Sequence, residues 1–295
     1  MSWWRRGKAV AEPEPLAPEP VDPDFRPTRI LVLGKAKTGT TYLSKMLQQA
    51  LAPCDFVLEP KSAEFVRTLF DEGGDRNVVI KIIYEHWDHR PNLRRALLAN
   101  EMPIRFNKKL LIVRDPRDEL LSRLLYIVKP LKDQDRLTAE SLERWLSVLK
   151  AKEADPESLS VTSLITQLDE IFGTRFLKSF QRHLNDFSTF FAGLPKGIHV
   201  VRYEDLIDGQ VGKLQHYLGF DVNLAVERDD HIERTLRSGA AGNWRAAFTE
   251  DDVRTLCPMM EDFLRAASYD TRHDIVSESL PTSDWSEYVE QLAER

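Results

Sequence analysis

Short apolar runs recur along the chain, and longer segments separate them. The runs cover residues 30–33, 77–84, 109–113 and 199–201, with a shorter one at 56–58. A nearly continuous apolar run is typical of a strand buried on both faces of a parallel sheet, whereas a strand with one face in water alternates apolar and polar residues. The pattern therefore predicts an α/β, three-layer fold with a central, mainly parallel sheet of four to five strands flanked by helices.

The longest interval between predicted strands has helical periodicity. Segments 141–150 and 162–172 place apolar residues on one helical face, and segment 176–191 is rich in aromatic residues. We predict a helical insertion at about residues 131–192. Two interpretations stay open, because such helices form either a wall or lid of a binding site or plain scaffold.

The amino-terminal segment differs from the rest, because proline alternates with acidic residues over residues 11–27. Such a segment buries little apolar surface, so residues 1–27 are predicted to be a disordered tail. Its start, Trp3-Trp4-Arg5-Arg6, suits either weak contact with a membrane surface or that tail alone. Residues 28–295 are predicted to be a single domain, since the motifs below extend from residue 34 to residue 237.

Composition narrows the class of protein. The 295 residues carry a net charge of −6, and 42% hydrophobic residues suffice for a substantial core. An acidic balance disfavours nucleic acid as a partner. The chain has two cysteines and shows neither a signal peptide nor a long apolar span, so we expect no disulfide framework and a cytoplasmic protein.

The segment after the first predicted strand combines glycine, lysine and threonine. Gly34 and Gly39 bound a loop with Lys37 and Thr38, and a helix is predicted to begin at Thr40. A strand, a glycine loop and a helix N-terminus aim main-chain N–H groups and the helix dipole at one point, which favours phosphate. The spacing is P-loop-like, but Thr40 occupies the position where a nucleoside-triphosphate loop carries its lysine.

A second motif follows the run at 109–113. Arg114 stands at the carboxyl end of this predicted strand, Asp115 and Pro116 suit a helix start, and Ser122 comes eight residues after Arg114. The carboxyl ends of parallel strands meet at the edge where ligands bind, so Arg114 is predicted to lie beside the glycine loop. An ordinary strand-end ion pair is the alternative for Arg114.

These motifs resemble those of sulfotransferases that use 3′-phosphoadenosine-5′-phosphosulfate (PAPS). Residues 37–42 resemble the phosphosulfate loop of that family, and the Arg114-to-Ser122 spacing resembles its 3′-phosphate motif. Tyr203, with the two acidic residues after it, resembles the segment that borders the adenosine pocket. Residues 237–244 are similar to the family's carboxy-terminal loop, although two of its usual positions, a lysine and an aspartate, are replaced here.

The resemblance implies a sulfotransferase domain over residues 28–295, with PAPS as co-substrate, PAP as product and no metal. The residues it implies for donor binding are Lys37, Thr38, Gly39, Thr40, Thr41, Tyr42, Arg114, Ser122, Tyr203, Arg237, Ser238 and Gly239. Lys37 is also implied as the catalytic cation on the leaving oxygen. The rival functions are a P-loop nucleotide kinase or hydrolase and a non-catalytic nucleotide-binding module.

The base that removes the acceptor proton has two candidates. The histidine base of cytosolic members is missing, since Lys81 is followed by Ile82. Many carbohydrate sulfotransferases place a glutamate after the first helix and a lysine on the second strand, and Glu59 and Lys81 occupy comparable positions. His86 is the alternative base; with His89 it is also the nearest approach to a metal site, and two histidines do not complete one.

The sequence does not specify the acceptor. By the same resemblance, a glutamate base and an aromatic helical insertion favour a hydroxyl or amine of a carbohydrate, lipid or other small metabolite. The insertion at 131–192 is then predicted to lie on the acceptor side. The oligomeric state is left open.

Overall fold

The computed structural model describes residues 27–72, 76–86, 91–99, 104–227, 239–276 and 284–295. Apart from residue 27, the predicted tail lies outside these ranges. Arg237 and Ser238 of the predicted donor site, and His89, lie outside them as well.

A sheet of five parallel strands forms the centre of the described chain. The strands are β1 (Arg29–Gly34), β2 (Cys54–Leu58), β3 (Asn77–Ile83), β4 (Lys108–Val113) and β5 (Ile198–Arg202). Their order across the sheet is β2-β3-β1-β4-β5, and every neighbouring pair is parallel. The predicted α/β fold with a central parallel sheet is confirmed, and the short run at 56–58 belongs to the edge strand β2.

Helices surround this sheet. They are α1 (Thr40–Ala50), α2 (Ala63–Glu72), α3 (Pro91–Ala99), α4 (Pro116–Tyr126), α5 (Val128–Asp133), α6 (Ala139–Ala154), α7 (Val161–Phe172), α8 (Phe176–Ala192), α9 (Tyr203–Ile207), α10 (Gly212–Leu218), α11 (Trp244–Ala247), α12 (Glu250–Leu256), α13 (Glu261–Ala266) and α14 (Asp284–Glu294). Short 3₁₀ turns cover Tyr84–His86 and Cys257–Met260. Among the described helices, none is both long and apolar enough to cross a bilayer.

Both faces of the sheet are buried, which explains the nearly continuous apolar runs. Leu31 and Leu33 of β1 point into a large core shared with α4, α6, α7, α8 and α14. Ile30 and Val32 point to the other face, where α1 and α10 cover them. Because successive strand residues face opposite sides, only apolar residues at every position satisfy both cores.

The predicted helical insertion is confirmed as helices, since α6, α7 and α8 contain the three predicted segments. The Thr138 side chain caps α6, and Gly173 ends α7 in the left-handed region at φ 62°. The side chains of Trp145, Leu168 and Phe187 are fully buried in the same core as one face of the sheet. Of these helices, α8 reaches the turn after β3, where the rings of Phe187 and Phe190 lie 5.0 Å and 5.1 Å from that of Tyr84.

The parallel register brings three strand ends to one edge. Gly34, the last residue of β1, lies opposite Ile83 of β3 and Ile112 of β4. The glycine loop after β1, the turn after β3 and the residues after β4 consequently open side by side, as predicted for Arg114.

Candidate active site

The glycine loop is held tightly between β4 and the residue after β5. A side chain at Gly39 would bring its Cβ to 2.5 Å from the ring of Tyr203, and the φ of +91° there also favours glycine. A Cβ at Gly34 would lie 2.6 Å from Thr40 and 2.7 Å from Ile112. Both glycines are thus required by close packing as well as by the turn.

The first turn of α1, which follows this loop, presents main-chain N–H groups that have no acceptor among the described residues. Gly39 is the N-cap without a side-chain cap, and the first intrahelical bond runs from the Leu43 N–H to the Gly39 carbonyl at 3.0 Å. The N–H groups of Thr40, Thr41 and Tyr42 therefore lack an acceptor inside the helix. A helix end of this kind attracts an anion.

Inside the loop, Lys37 takes a left-handed conformation at φ 67°. The Thr38 hydroxyl donates to the main-chain oxygen of Lys35 at 2.8 Å, so this side chain closes the loop in the structure. The hydroxyl of Tyr42 donates to the Leu224 carbonyl at 2.7 Å. Ser122 is half-buried on α4, two turns after Arg114. The contacts predicted between Thr38, Tyr42 and Ser122 and a bound sulfuryl donor stay predictions.

Arg114 lies against the loop, as its position after β4 predicted. Its guanidinium donates to the main-chain oxygen of Lys37 at 3.2 Å and lies over the Tyr203 ring at 4.4 Å. The residue is only 8% exposed, and its Nε has no hydrogen-bond partner among the described residues. A buried guanidinium with an unused donor is costly unless it meets a ligand, because desolvation is not compensated.

Tyr203 is the first residue of the short helix α9, which directly follows β5. Its side chain is buried between Gly39 and Arg114. Burial raises the pKa of its hydroxyl, which remains neutral at physiological pH.

Behind the loop lies a buried quartet of charges, namely Lys35, Glu85, Glu119 and Arg123. The Lys35 ammonium is 2.8 Å from Glu119, the Arg123 Nε is 2.7 Å from Glu119, and Arg123 also pairs with Glu85. Glu85 in turn accepts the Ala36 N–H at 3.1 Å. The quartet thereby ties the loop backbone to α4 and to the turn after β3.

The pKa shifts in the buried quartet follow from burial and pairing. Burial lowers the pKa of Lys35, which is surrounded by protein, while Glu119 opposes that change. Burial works to lower the pKa of Arg123 too, but Glu119 and Glu85 outweigh it and raise that pKa. The two carboxylates thus stabilise the positive charge of the buried Arg123 side chain.

The side chain of Lys37 is held by two tyrosines. Its ammonium lies 3.9 Å from the centre of the Tyr126 ring and 3.4 Å from the Tyr288 hydroxyl oxygen. Tyr126 ends α4, whereas Tyr288 comes from α14, 251 residues along the chain from Lys37.

The three base-related candidates meet in an open trio, namely Glu59, Lys81 and His86. The Glu59 carboxylate accepts the Ile83 N–H at 3.0 Å, contacts the His86 Nδ1 at 3.1 Å and lies 3.6 Å from the Lys81 ammonium. Burial lowers the pKa of Lys81, against the attraction of Glu59. The imidazole is half in solvent, so the structure joins both base candidates in one accessible pair.

The predicted carboxy-terminal loop folds onto α4 where it is described. Buried Asp118 accepts the N–H groups of Gly242 at 2.6 Å and of Trp244 at 2.9 Å, and Arg117 lies 3.9 Å from the Trp244 ring. Burial raises the pKa of Asp118, against the charge of Arg114. Gly239, three residues before Gly242, is half-buried.

Four residues at the site escape the sequence motifs: Tyr126, Tyr288, Glu85 and Glu119. Glu119 shares the charged first turn of α4 with Arg117 and Asp118, and acidic residues are common at helix N-termini, so nothing local indicated its buried partner. The two tyrosines carry no local signal of their role.

Comparisons with known proteins give one family match. The model of the sulfotransferase domain family matches residues 27–235. The mouse sulfotransferase SULT7A1 complexed with PAP has a TM-score of 0.46 at 16% identity, covering 84% of this chain and 90% of that chain. The sulfotransferase domain of the olefin synthase from Synechococcus PCC 7002 has a TM-score of 0.29 at 12% identity, covering 92% and 96%. No curated protein matches the sequence.

Proposed function

Because the chain belongs to the sulfotransferase domain family, we propose that it moves a sulfuryl group from PAPS to a hydroxyl or amine of a small acceptor. One observation carries the choice of donor. Arg114 is 8% exposed, and its guanidinium donates to the main-chain oxygen of Lys37 at 3.2 Å. A phosphosulfate at the loop and a second, ribose-borne phosphate at Arg114 would therefore be held side by side.

The residues present suit such a donor. Arg114 keeps an unpartnered Nε among the described residues, and a guanidinium offers a planar set of donors to phosphate. The first-turn N–H groups of α1 and the Lys37 ammonium supply further positive potential at the loop. Tyr42, Ser122, Tyr203 and the 237–239 segment complete the proposed donor site.

When bound, PAPS supplies a sulfuryl group on a bridging oxygen, which takes up negative charge as the sulfur moves to the acceptor. Lys37 is assigned to that oxygen, because an ammonium stabilises developing charge without accepting it. The N–H groups and hydroxyls of Thr40 and Thr41 are assigned to the equatorial oxygens. As the new oxygen–sulfur bond forms, the acceptor proton leaves for a base of the protein.

We assign that base to the Glu59–His86 pair. The carboxylate oxygen and the Nδ1 nitrogen lie 3.1 Å apart, within proton-transfer distance of each other. The Lys81 ammonium lies 3.6 Å from the same carboxylate and adds a favourable charge contact. The helical insertion is assigned to the acceptor side of a single domain over residues 28–295, and the acceptor is assigned to a carbohydrate, a lipid or another small metabolite.

Donor specificity is tested by calorimetry. PAP should bind without magnesium and more tightly than ATP, because the second phosphate meets Arg114. Arg114→Ala should weaken PAP binding by about ten- to a hundredfold, since a charge-assisted contact contributes about 1.5–3 kcal/mol. Arg29→Ala is the matched control, because Arg29 is also 8% exposed and lies 4.2 Å from an aromatic ring at the opposite end of β1. Preferential, magnesium-dependent ATP binding would reject the proposal in favour of a kinase or hydrolase.

Turnover is tested with radiolabelled PAPS and an acceptor extract from the source cells. Lys37→Ala should lower the rate at saturating PAPS by about 10²–10³-fold and change PAP affinity far less, because the charge is needed mainly in the transition state. Lys45→Ala is the control, because it removes a lysine of α1 whose ammonium also lies over an aromatic ring, that of Phe56 in β2. Tight PAP binding without any turnover would identify a binding module.

A further inference from the structure

The ammonium of Lys37 meets two side chains that the proposed chemistry has not yet used. The Tyr126 ring lies 3.9 Å away and the Tyr288 hydroxyl oxygen 3.4 Å away. We propose that Tyr288, together with the Tyr126 ring, is a positioning residue that holds the Lys37 ammonium for sulfuryl transfer. This inference rests on the proposed catalytic role of Lys37.

Both tyrosine side chains suit this task because a ring face and a hydroxyl oxygen attract a cation without the full charge of a carboxylate. An ammonium has three donors on a flexible stem, and restraining it costs side-chain entropy that preformed contacts offset. A cation over an aromatic face gains about 0.5–2 kcal/mol, and the hydroxyl oxygen accepts one donor. Neither group cancels the positive charge, in contrast to Glu119, which neutralises Lys35 at 2.8 Å. Lys37 is thereby oriented by its two tyrosine contacts.

The helix that carries Tyr288 is anchored at both ends. The Glu153 carboxylate of α6 accepts the N–H groups of Trp285 and Ser286 at 2.8 Å each, at the positive end of α14. The Lys132 ammonium donates to the Ala293 carbonyl at the other end. Tyr288 therefore reaches Lys37 from a fixed support.

The apolar face of α14 adds to this anchoring. Trp285, Val289 and Leu292 are at most 2% exposed in the large core, and the family match ends well before this helix, at residue 235. The family pattern thus supplies Lys37, while a segment beyond that pattern supplies its hydroxyl partner.

The test removes the hydroxyl and keeps the ring. Tyr288→Phe should lower turnover of radiolabelled PAPS at saturating donor by about tenfold, the loss expected for one hydrogen bond to a charged group. The KM for PAPS, the Kd for PAP and the melting temperature should stay within twofold or a few degrees of wild type. Tyr217→Phe is the control, because it removes a tyrosine hydroxyl that bonds Lys109 and Gly197 at the start of β4 and β5.

A second arm links the effect to Lys37. In the Lys37→Ala background, Tyr288→Phe should cause no further loss of rate. Tyr126→Leu should also lower turnover, and Tyr126→Phe should restore most of that loss. Independently of activity, NMR of reductively ¹³C-methylated protein should show a ring-shifted lysine signal that Lys37→Arg deletes and Tyr126→Leu moves towards the position of exposed lysines.

The outcomes separate this inference from the proposed function. If Tyr288→Phe keeps full turnover, or slows the Lys37→Ala enzyme by the same factor as wild type, the positioning role is wrong while sulfuryl transfer stands. If wild type fails to use PAPS, or Lys37→Ala leaves its rate unchanged, the proposed function itself is wrong. A methylated Lys37 signal without ring shift would likewise overturn the positioning role.

Discussion

The buried quartet and the open trio contain the same kinds of charge but differ in their surroundings. In the quartet, the side chains of Lys35 and Glu119 are each 1% exposed. In the trio, the side chain of Glu59 is 24% exposed and that of His86 is 54% exposed. The two clusters adjoin in the chain, since Glu85 of the quartet directly precedes His86 of the trio.

This difference in burial underlies the different roles that we propose for the two clusters. The two cations of the quartet pair with two carboxylates, and Glu85 also accepts a hydrogen bond from the Ala36 N–H. Such a network orients the loop and has little left for a substrate. In the trio, Glu59 is oriented by the Ile83 N–H and by Lys81, while the His86 imidazole reaches solvent. A proton can enter and leave there. Charge alone does not identify a catalytic group, and we therefore place the proposed base in the cluster that solvent reaches.

Breaking the quartet should give the largest effect. Glu119→Ala leaves the Lys35 ammonium buried without its counter-charge, which should cost about 3–5 kcal/mol of the free energy of unfolding. Urea unfolding followed by circular dichroism measures this. Glu59→Ala is the comparison from the trio and should cost at most about 1 kcal/mol, because its charges are partly in water.

A double replacement sharpens this result. Lys35→Met combined with Glu119→Leu should recover part of the stability lost in Glu119→Ala, since an apolar pair no longer leaves a buried charge. Equal stability losses for Glu119→Ala and Glu59→Ala would remove the distinction between the two clusters.

In the trio, a substitution should lower turnover strongly and change stability little. Glu59→Gln should lower turnover of radiolabelled PAPS by about a hundredfold, the usual range for a lost general base, with the melting temperature nearly unchanged. The acidic side of the pH–rate profile tells the two candidates apart. If Glu59 accepts the proton, the fall in rate at acidic pH should persist in His86→Asn and disappear in Glu59→Gln. If the imidazole accepts the proton, the limb is lost in His86→Asn, and Glu59 orients the ring.

Local signals were enough to predict most of the fold. Apolar runs mark strands because a parallel sheet buries both faces, and β1, β3 and β4 follow the predicted runs closely. Helical periodicity located α6, α7 and α8. The contact between Arg114 and the loop was also predictable, because parallel strands end at the same edge.

Long-range contacts set the limit of that approach. The hydrogen bond between Lys37 and Tyr288 joins residues 251 positions apart, and no motif near either residue indicates the other. The pairing of Lys35 with Glu119 depends in the same way on how α4 packs against β1. Motifs report the local geometry of a loop, whereas its second layer of contacts depends on tertiary packing.

The smallest expected effect concerns the pH dependence of stability in the trio. Burial lowers the pKa of Lys81 below its ordinary value of 10.5, against the attraction of Glu59. The unfolded chain therefore binds more protons than the folded one between the two pKa values, so the Lys81 contribution to stability rises with pH in that interval. Below it, both states are protonated and the penalty for burying the charge is fully present.

Lys81→Met isolates this contribution. Urea unfolding of both proteins at neutral pH and at pH values approaching 10.5 should show wild type gaining stability relative to the variant as the pH rises. A constant difference would mean that the folded protein holds the Lys81 proton as firmly as the unfolded chain does. Lys81 would then be as well compensated as Arg123 of the quartet, and the contrast between the two clusters would fail at the most buried residue of the trio.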